Sequence, residues 1–95
     1  MYFAIVEDLV MDQKHLIRLI QENLEKYHET ADFDCFENGE DFLAHFRPGL
    51  YHAVFMDIIL DRIGLNGIET AEKLRSFAKR IPLIFITSER DYSLE

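Results

Sequence analysis

Four short apolar runs punctuate this chain: Tyr2–Val6, a stretch holding Phe33, Cys35 and Phe36, then Ala53–Met56 and Leu83–Ile86. Three of the four carry no polar residue at all. A strand with one wet face alternates polar and apolar, whereas one apolar at every position must be covered on both faces, the condition of strands in a parallel sheet. Parallel neighbours need long crossover connections, and between the runs the pattern changes to helical spacing. Asp12 is placed to cap a first helix, with Leu16, Ile17, Ile20, Leu24 and Tyr27 on one stripe and Lys14, Arg18, Glu22 and Lys26 on the solvated side. After the turn signal Asn38-Gly39 comes a helix bearing Phe42, Leu43 and Phe46, stopped by Pro48-Gly49. A third helix turns Ile68, Ala71, Leu74 and Ala78 inward and closes at Arg80 before Pro82. Ser88, Tyr92 and Leu94 read as the start of a fourth. Strand and helix in alternation give an α/β domain around a parallel sheet.

Composition narrows the function classes. Eighteen acidic residues against ten basic leave a net charge of −8, which repels nucleic-acid phosphates and anionic lipid, so no direct nucleic acid contact and no membrane partner are expected. The apolar runs are far too short to cross a bilayer, and no signal segment opens the chain. A cytoplasmic protein of one domain is the expectation. The single cysteine, Cys35, excludes an internal disulfide and a thiolate zinc site and is expected to pack in the core.

The chemistry lies where the strands stop. Ligands of open parallel sheets bind beyond the carboxyl ends of the strands. The first strand delivers Glu7 and Asp8 to that edge, the third delivers Asp57, and the fourth delivers Thr87 and Ser88. Three carboxylates brought that close repel unless a cation offsets them, and carboxylates with water are the oxygen donors that Mg²⁺ takes. Acids at strand ends are also common because strand ends are exposed, and spacing alone leaves both readings open. Other chemistries fit less well. Neither GxxxxGK[ST] nor GxGxxG is present, Ile63 and Leu65 deny the Asp61–Glu69 stretch an EF-hand, and His15, His28, His45 and His52 are scattered without ligand spacing.

Together, AIVED at the end of the first strand, AVFMDIIL around Asp57, NGIETA opening the third helix and IPLIFITS ending the fourth strand resemble the receiver domain of bacterial two-component response regulators. NGIETA and DYSLE look most like regulators with a LytTR-type output domain. The resemblance implies a flavodoxin-like (CheY-like) open parallel sheet in three α/β/α layers. It implies Asp57 as phosphoacceptor from a sensor histidine kinase, and Mg²⁺ held by Asp8, Asp57 and the Ile59 backbone carbonyl, with Glu7 acting largely through water. It further implies that Thr87 hydrogen-bonds the phosphoryl group and switches with it, controlling an output such as transcription. Such a domain is no enzyme beyond its own Mg²⁺-dependent phosphorylation.

Two departures stand out. Gly67 lies ten residues after Asp57, about two more than the family usually has, which reads as an insertion beside the site. The receiver over residues 1–95 also lacks the fifth strand, with its phosphoryl-pairing lysine, and the fifth helix; Lys73 and Lys79 on the third helix do not match that position. An open fourth-strand edge and a bare sheet face predict a homodimer or higher oligomer. The alternative function is a degenerate receiver that serves as a phosphorylation-independent interaction or dimerisation module.

Overall fold

The computed structural model describes residues 1–60 and 63–86. In chain order the elements are β1 (Tyr2–Val6), α1 (Val10–Glu25), β2 (Asp32–Phe36), α2 (Gly39–His45), β3 (Ala53–Asp57), α3 (Gly67–Arg75) and β4 (Leu83–Ile86). The strands form one parallel sheet in the order β2-β1-β3-β4. This is the flavodoxin-like order: the chain winds outward from β1 to β2, then returns past β1 to β3, so strand order reverses between β1 and β3.

Register divides the strand residues between two apolar layers. Ala4 and Val6 stand beside Val54 and Met56, and all four pack with Phe42 and Phe46 of the α2 region and Leu74 of α3. Phe3 and Phe55 point the other way, their rings 5.5 Å apart and edge to face. With Leu19, Ile20 and Leu24 of α1 they line a groove of about 320 Å³. Ala4, Ile5, Val6 and Val54 are fully buried, as strands covered on both sides must be. β4 departs from this, for Ile84 and Phe85 are exposed.

Local chemistry sets the ends of the elements. Asn38, expected as a turn residue, is the N-cap of α2, its side chain accepting the Asp41 N–H at 2.7 Å. α1 starts two residues before Asp12, after Leu9, which offers no side-chain cap; Asp12 instead lies in the first turn, where its charge favours the helix dipole. The inward stripe of α1 is right at Leu16, Ile17, Ile20 and Leu24 but not at Tyr27, which lies past the helix end and is exposed. In α3, Ile68 is exposed and Thr70, Ala71 and Leu74 are the buried positions. Cys35, expected in the core, is exposed on β2, an edge strand among the described residues. A polar tie holds β2 to the starts of β1 and β3: Asp34 accepts the hydroxyls of Tyr2 and, at 2.7 Å, Tyr51.

Candidate functional site

The reversal between β1 and β3 brings the expected acids together. β1 and β3 are paired with Val6 opposite Met56, so Glu7, Asp8 and Asp57 leave the sheet side by side at its carboxyl edge. One carboxylate oxygen from each lies within 4.8 Å of the others. Glu7 and Asp57 are buried, at 1% and 0% exposure, while Asp8 is half-buried. A cluster that is mostly out of water differs from ordinary exposed acids at strand ends.

Each acid is held by its local turn. The Glu7 amide donates to the Phe36 carbonyl at 2.9 Å, continuing the β1–β2 ladder by one residue. Its carbonyl accepts Gln13 Nε2 at 2.7 Å, and its carboxylate Oε2 accepts the Leu9 amide at 3.0 Å. Asp57 closes β3 opposite Ile86, and its Oδ1 accepts the Ile59 amide at 3.1 Å. Gly67 starts α3 directly against this residue: a Cβ there would stand 1.9 Å from the Asp57 carbonyl oxygen, so only glycine fits.

Burial pushes the Glu7 carboxyl up to about 8; the Leu9 amide opposes the shift, and the neighbouring Asp8 and Asp57 carboxyls add to it. Such a group is suited to meet a cation. Carboxylate oxygens are the hard donors that Mg²⁺ takes, and the donor set fits that ion.

Of the expected site residues, Glu7, Asp8 and Asp57 are brought together. At Ile59 the amide donates to Asp57 Oδ1. Thr87, like Ser88, Tyr92 and Leu94, lies outside the described residues. Sequence reasoning missed Gln13 and Thr70, both buried and polar. Gln13 pins the β1–α1 turn, and Thr70 Oγ1 donates to the Asn66 carbonyl at 2.7 Å where the β3–α3 loop enters its helix. The signal was their position, since each continues an inward helical stripe with a polar side chain.

A family model for the response regulator receiver domain matches residues 5–94. The chain belongs to the response regulator receiver family. The receiver fold extends to solved structures. The signal receiver domain of a modulated diguanylate cyclase from Desulfovibrio desulfuricans is 33% identical with a TM-score of 0.70, over 97% of this chain and 68% of that one. A chain from the complex of histidine kinase ThkA with response regulator protein TrrA is 26% identical with a TM-score of 0.65, over 99% of this chain and 74% of that one. The transcriptional regulatory protein YpdB of Escherichia coli is 28% identical over 95 residues, covering all of this chain and 36% of the relative. The chain thus spans about a third of the length of the curated relatives it matches. A receiver is a signalling domain, and this one has an acidic cluster of Glu7, Asp8 and Asp57 at the carboxyl edge of its sheet. No helix among the described residues is long and apolar enough to cross a membrane.

Proposed function

We propose that residues 1–95 act as one receiver unit that takes a phosphoryl group on Asp57 from a sensor histidine kinase, with Mg²⁺. The observation that carries this reading is the buried meeting of Asp57 with Glu7 and Asp8 at the point where strand order reverses. Asp8, Asp57 and the Ile59 carbonyl would hold the ion, with Glu7 acting through water. Bound Mg²⁺ supplies charge neutralisation for the phosphoryl oxygens. The chain itself does the positioning. An Asp57 carboxylate oxygen attacks phosphorus in line, the P–N bond of the donor phosphohistidine breaks, and the imidazole nitrogen leaves with the electron pair. The Ile59 amide on Asp57 Oδ1 orients the carboxylate for attack. Thr87 donates its hydroxyl to the new phosphoryl group, turning a local charge into a surface change.

The kinase partner is supported by the likeness to a kinase–regulator complex, and an output in transcription by the likeness to YpdB. We extend both to a cytoplasmic regulator with a LytTR-type output. The deciding experiment is intact mass after incubation with Mg²⁺ and a small-molecule phosphodonor, beside Asp57→Asn. A single phosphoryl adduct on the parent and none on the variant is expected; an adduct on both, or on neither, overturns the assignment.

A second reading, an interaction module that associates without phosphate, is favoured by the exposure of Ile84 and Phe85 on β4, at 38% and 42%. It predicts association unchanged in Asp57→Asn, whereas association that depends on the phosphodonor counts against it.

A further inference from the structure

Helix α1 carries apolar residues on more of its surface than the sheet covers. Leu19 is 42% exposed and Tyr27 73%, and both line the groove with Phe3 and Phe55. On β4, Ile84 stands opposite Phe55 in register and extends the same face, itself 38% exposed. The charged residues on α1 frame this face in a particular order.

Positions seven apart are offset by only about 20° round an α-helix. Asp12, Leu19 and Lys26 are spaced in that way, so they fall on one line along α1, each about 10 Å from the next. Lys26 is the C-cap and keeps helical dihedrals, φ −61° and ψ −22°, so the line holds to the helix end. Asp12 Oδ2 is buried without a hydrogen-bond partner among the described residues, and neither Asp12 nor Lys26 enters an ion pair there. The line therefore reads acid, exposed leucine, base. A two-fold axis through Leu19, perpendicular to the helix, lays this line antiparallel on its own copy. Leu19 then meets Leu19 of the second copy, and each Asp12 meets the other copy's Lys26. The same axis turns both grooves to one side of the helix pair, where each covers the other.

We propose that the α1 face is a homodimer interface, with two α1 helices packed antiparallel about Leu19 and an Asp12–Lys26 ion pair at each end. The occupant is a second copy because the charge order is self-complementary. The apolar centre and the two grooves supply the attraction, and the ion pairs select the register. A parallel pair would set Asp12 against Asp12 and Lys26 against Lys26, which like-charge repulsion opposes. In the antiparallel pair the buried Asp12 oxygen gains a donor in the other copy's Lys26 ammonium. The interface uses none of Glu7, Asp8 and Asp57, so it stands independently of phosphoryl transfer.

The test is sedimentation equilibrium on the 95-residue chain with Asp12→Lys and Lys26→Glu. Alone, each variant sets like charges against each other at both ends of the helix pair, and self-association should weaken about tenfold or more. Mixed one to one, the two variants restore opposite charges at both ends, and the mixture should recover the parent's dimer fraction as a heterodimer. Loss of fold cannot produce that recovery. A second measurement does not depend on the charges. In a Cys35→Ser background, Leu19→Cys should form a disulfide-linked dimer under mild oxidation, because position 19 faces its own copy across the axis. Asn23→Cys should not, since position 23 lies about 12 Å from its copy along the helix, beyond the reach of a disulfide. A parent that stays monomeric, a mixture no tighter than its components, or a cross-link as ready at position 23 as at 19 overturns the proposal. A phosphoryl adduct on a monomeric chain removes the interface and leaves phosphotransfer; a dimer that takes no adduct does the reverse.

Discussion

The chemistry of Glu7 lies far from that of an ordinary glutamate. Its carboxyl titrates near 8 in the fold against 4.5 in a free chain, chiefly because it is buried. The folded chain therefore holds a proton that the unfolded chain gives up between those values. Stability is greatest below about pH 4.5 as far as this group is concerned, and it is lost as pH rises through 8. Thermal melts of the metal-free chain should show a midpoint that declines from about pH 4.5 to about pH 8, and Glu7→Gln should flatten that slope. Mg²⁺ should reverse the trend, since a cation favours the charged carboxylates that burial disfavours. A midpoint indifferent to pH in the parent would remove the case for a proton on Glu7. Gly67 is the second decisive residue. Its missing Cβ makes room for the Asp57 carbonyl oxygen, a backbone atom that cannot swing aside. Gly67→Ala should cost about 1–3 kcal/mol, as overpacking does, and its Mg²⁺ affinity should fall with its melting temperature.

At the scale of elements, the turns carry as much information as the helices and strands they join. The capping box of α3, with Asn66 and Glu69 each accepting the other's amide at 2.8 Å and 3.0 Å, fixes where the β3–α3 loop ends. Asn66→Ala should lower stability by about 1 kcal/mol, and denaturant unfolding should show this as a shifted midpoint at constant slope. A loss confined to the loop's amide exchange, with the global midpoint untouched, would mean that the cap serves the loop alone. At the far end of the sheet the Tyr2–Asp34–Tyr51 tie secures β2, which otherwise presents an edge among the described residues. α1 shows the limit of capping rules. It begins after Leu9 without a side-chain cap, and Gln13, bonded back to the Glu7 carbonyl, holds the turn in its place.

At the scale of the molecule, the sheet as formed by the described residues is sealed on one face and partly open on the other. The layer of Phe42, Phe46 and Leu74 over Val54 and Met56 is fully out of water or nearly so. On the α1 side, Phe3 and Phe55 border a groove, and Ile84 of β4 stands 38% exposed. Apolar surface of this kind favours association. Sedimentation should find a mass that rises with concentration, and Ile84→Glu should hold the chain at the monomer mass. A parent that stays monomeric at every concentration counts against the oligomer.

The order of elements was legible because periodicity is written in the chain: runs apolar at every position for β1, β3 and β4, and a three-and-four spacing for the helices between them. The family was legible too, because AIVED, AVFMDIIL, NGIETA and IPLIFITS place the Glu7-Asp8 pair and Asp57 at the ends of such runs. Sequence could not decide whether those acids meet, since that depends on β1 and β3 being neighbours, a fact of strand order. Nor could it show that Glu7 is buried enough to hold a proton, that Ile59 reaches Asp57 through its amide, or that Glu40 reaches Leu65 from another helix. Local pattern determines what each segment becomes because backbone and side-chain preferences act over a few residues. Distances between carboxylates, and the water taken from them, depend on which segments pack together, and only the tertiary structure decides that.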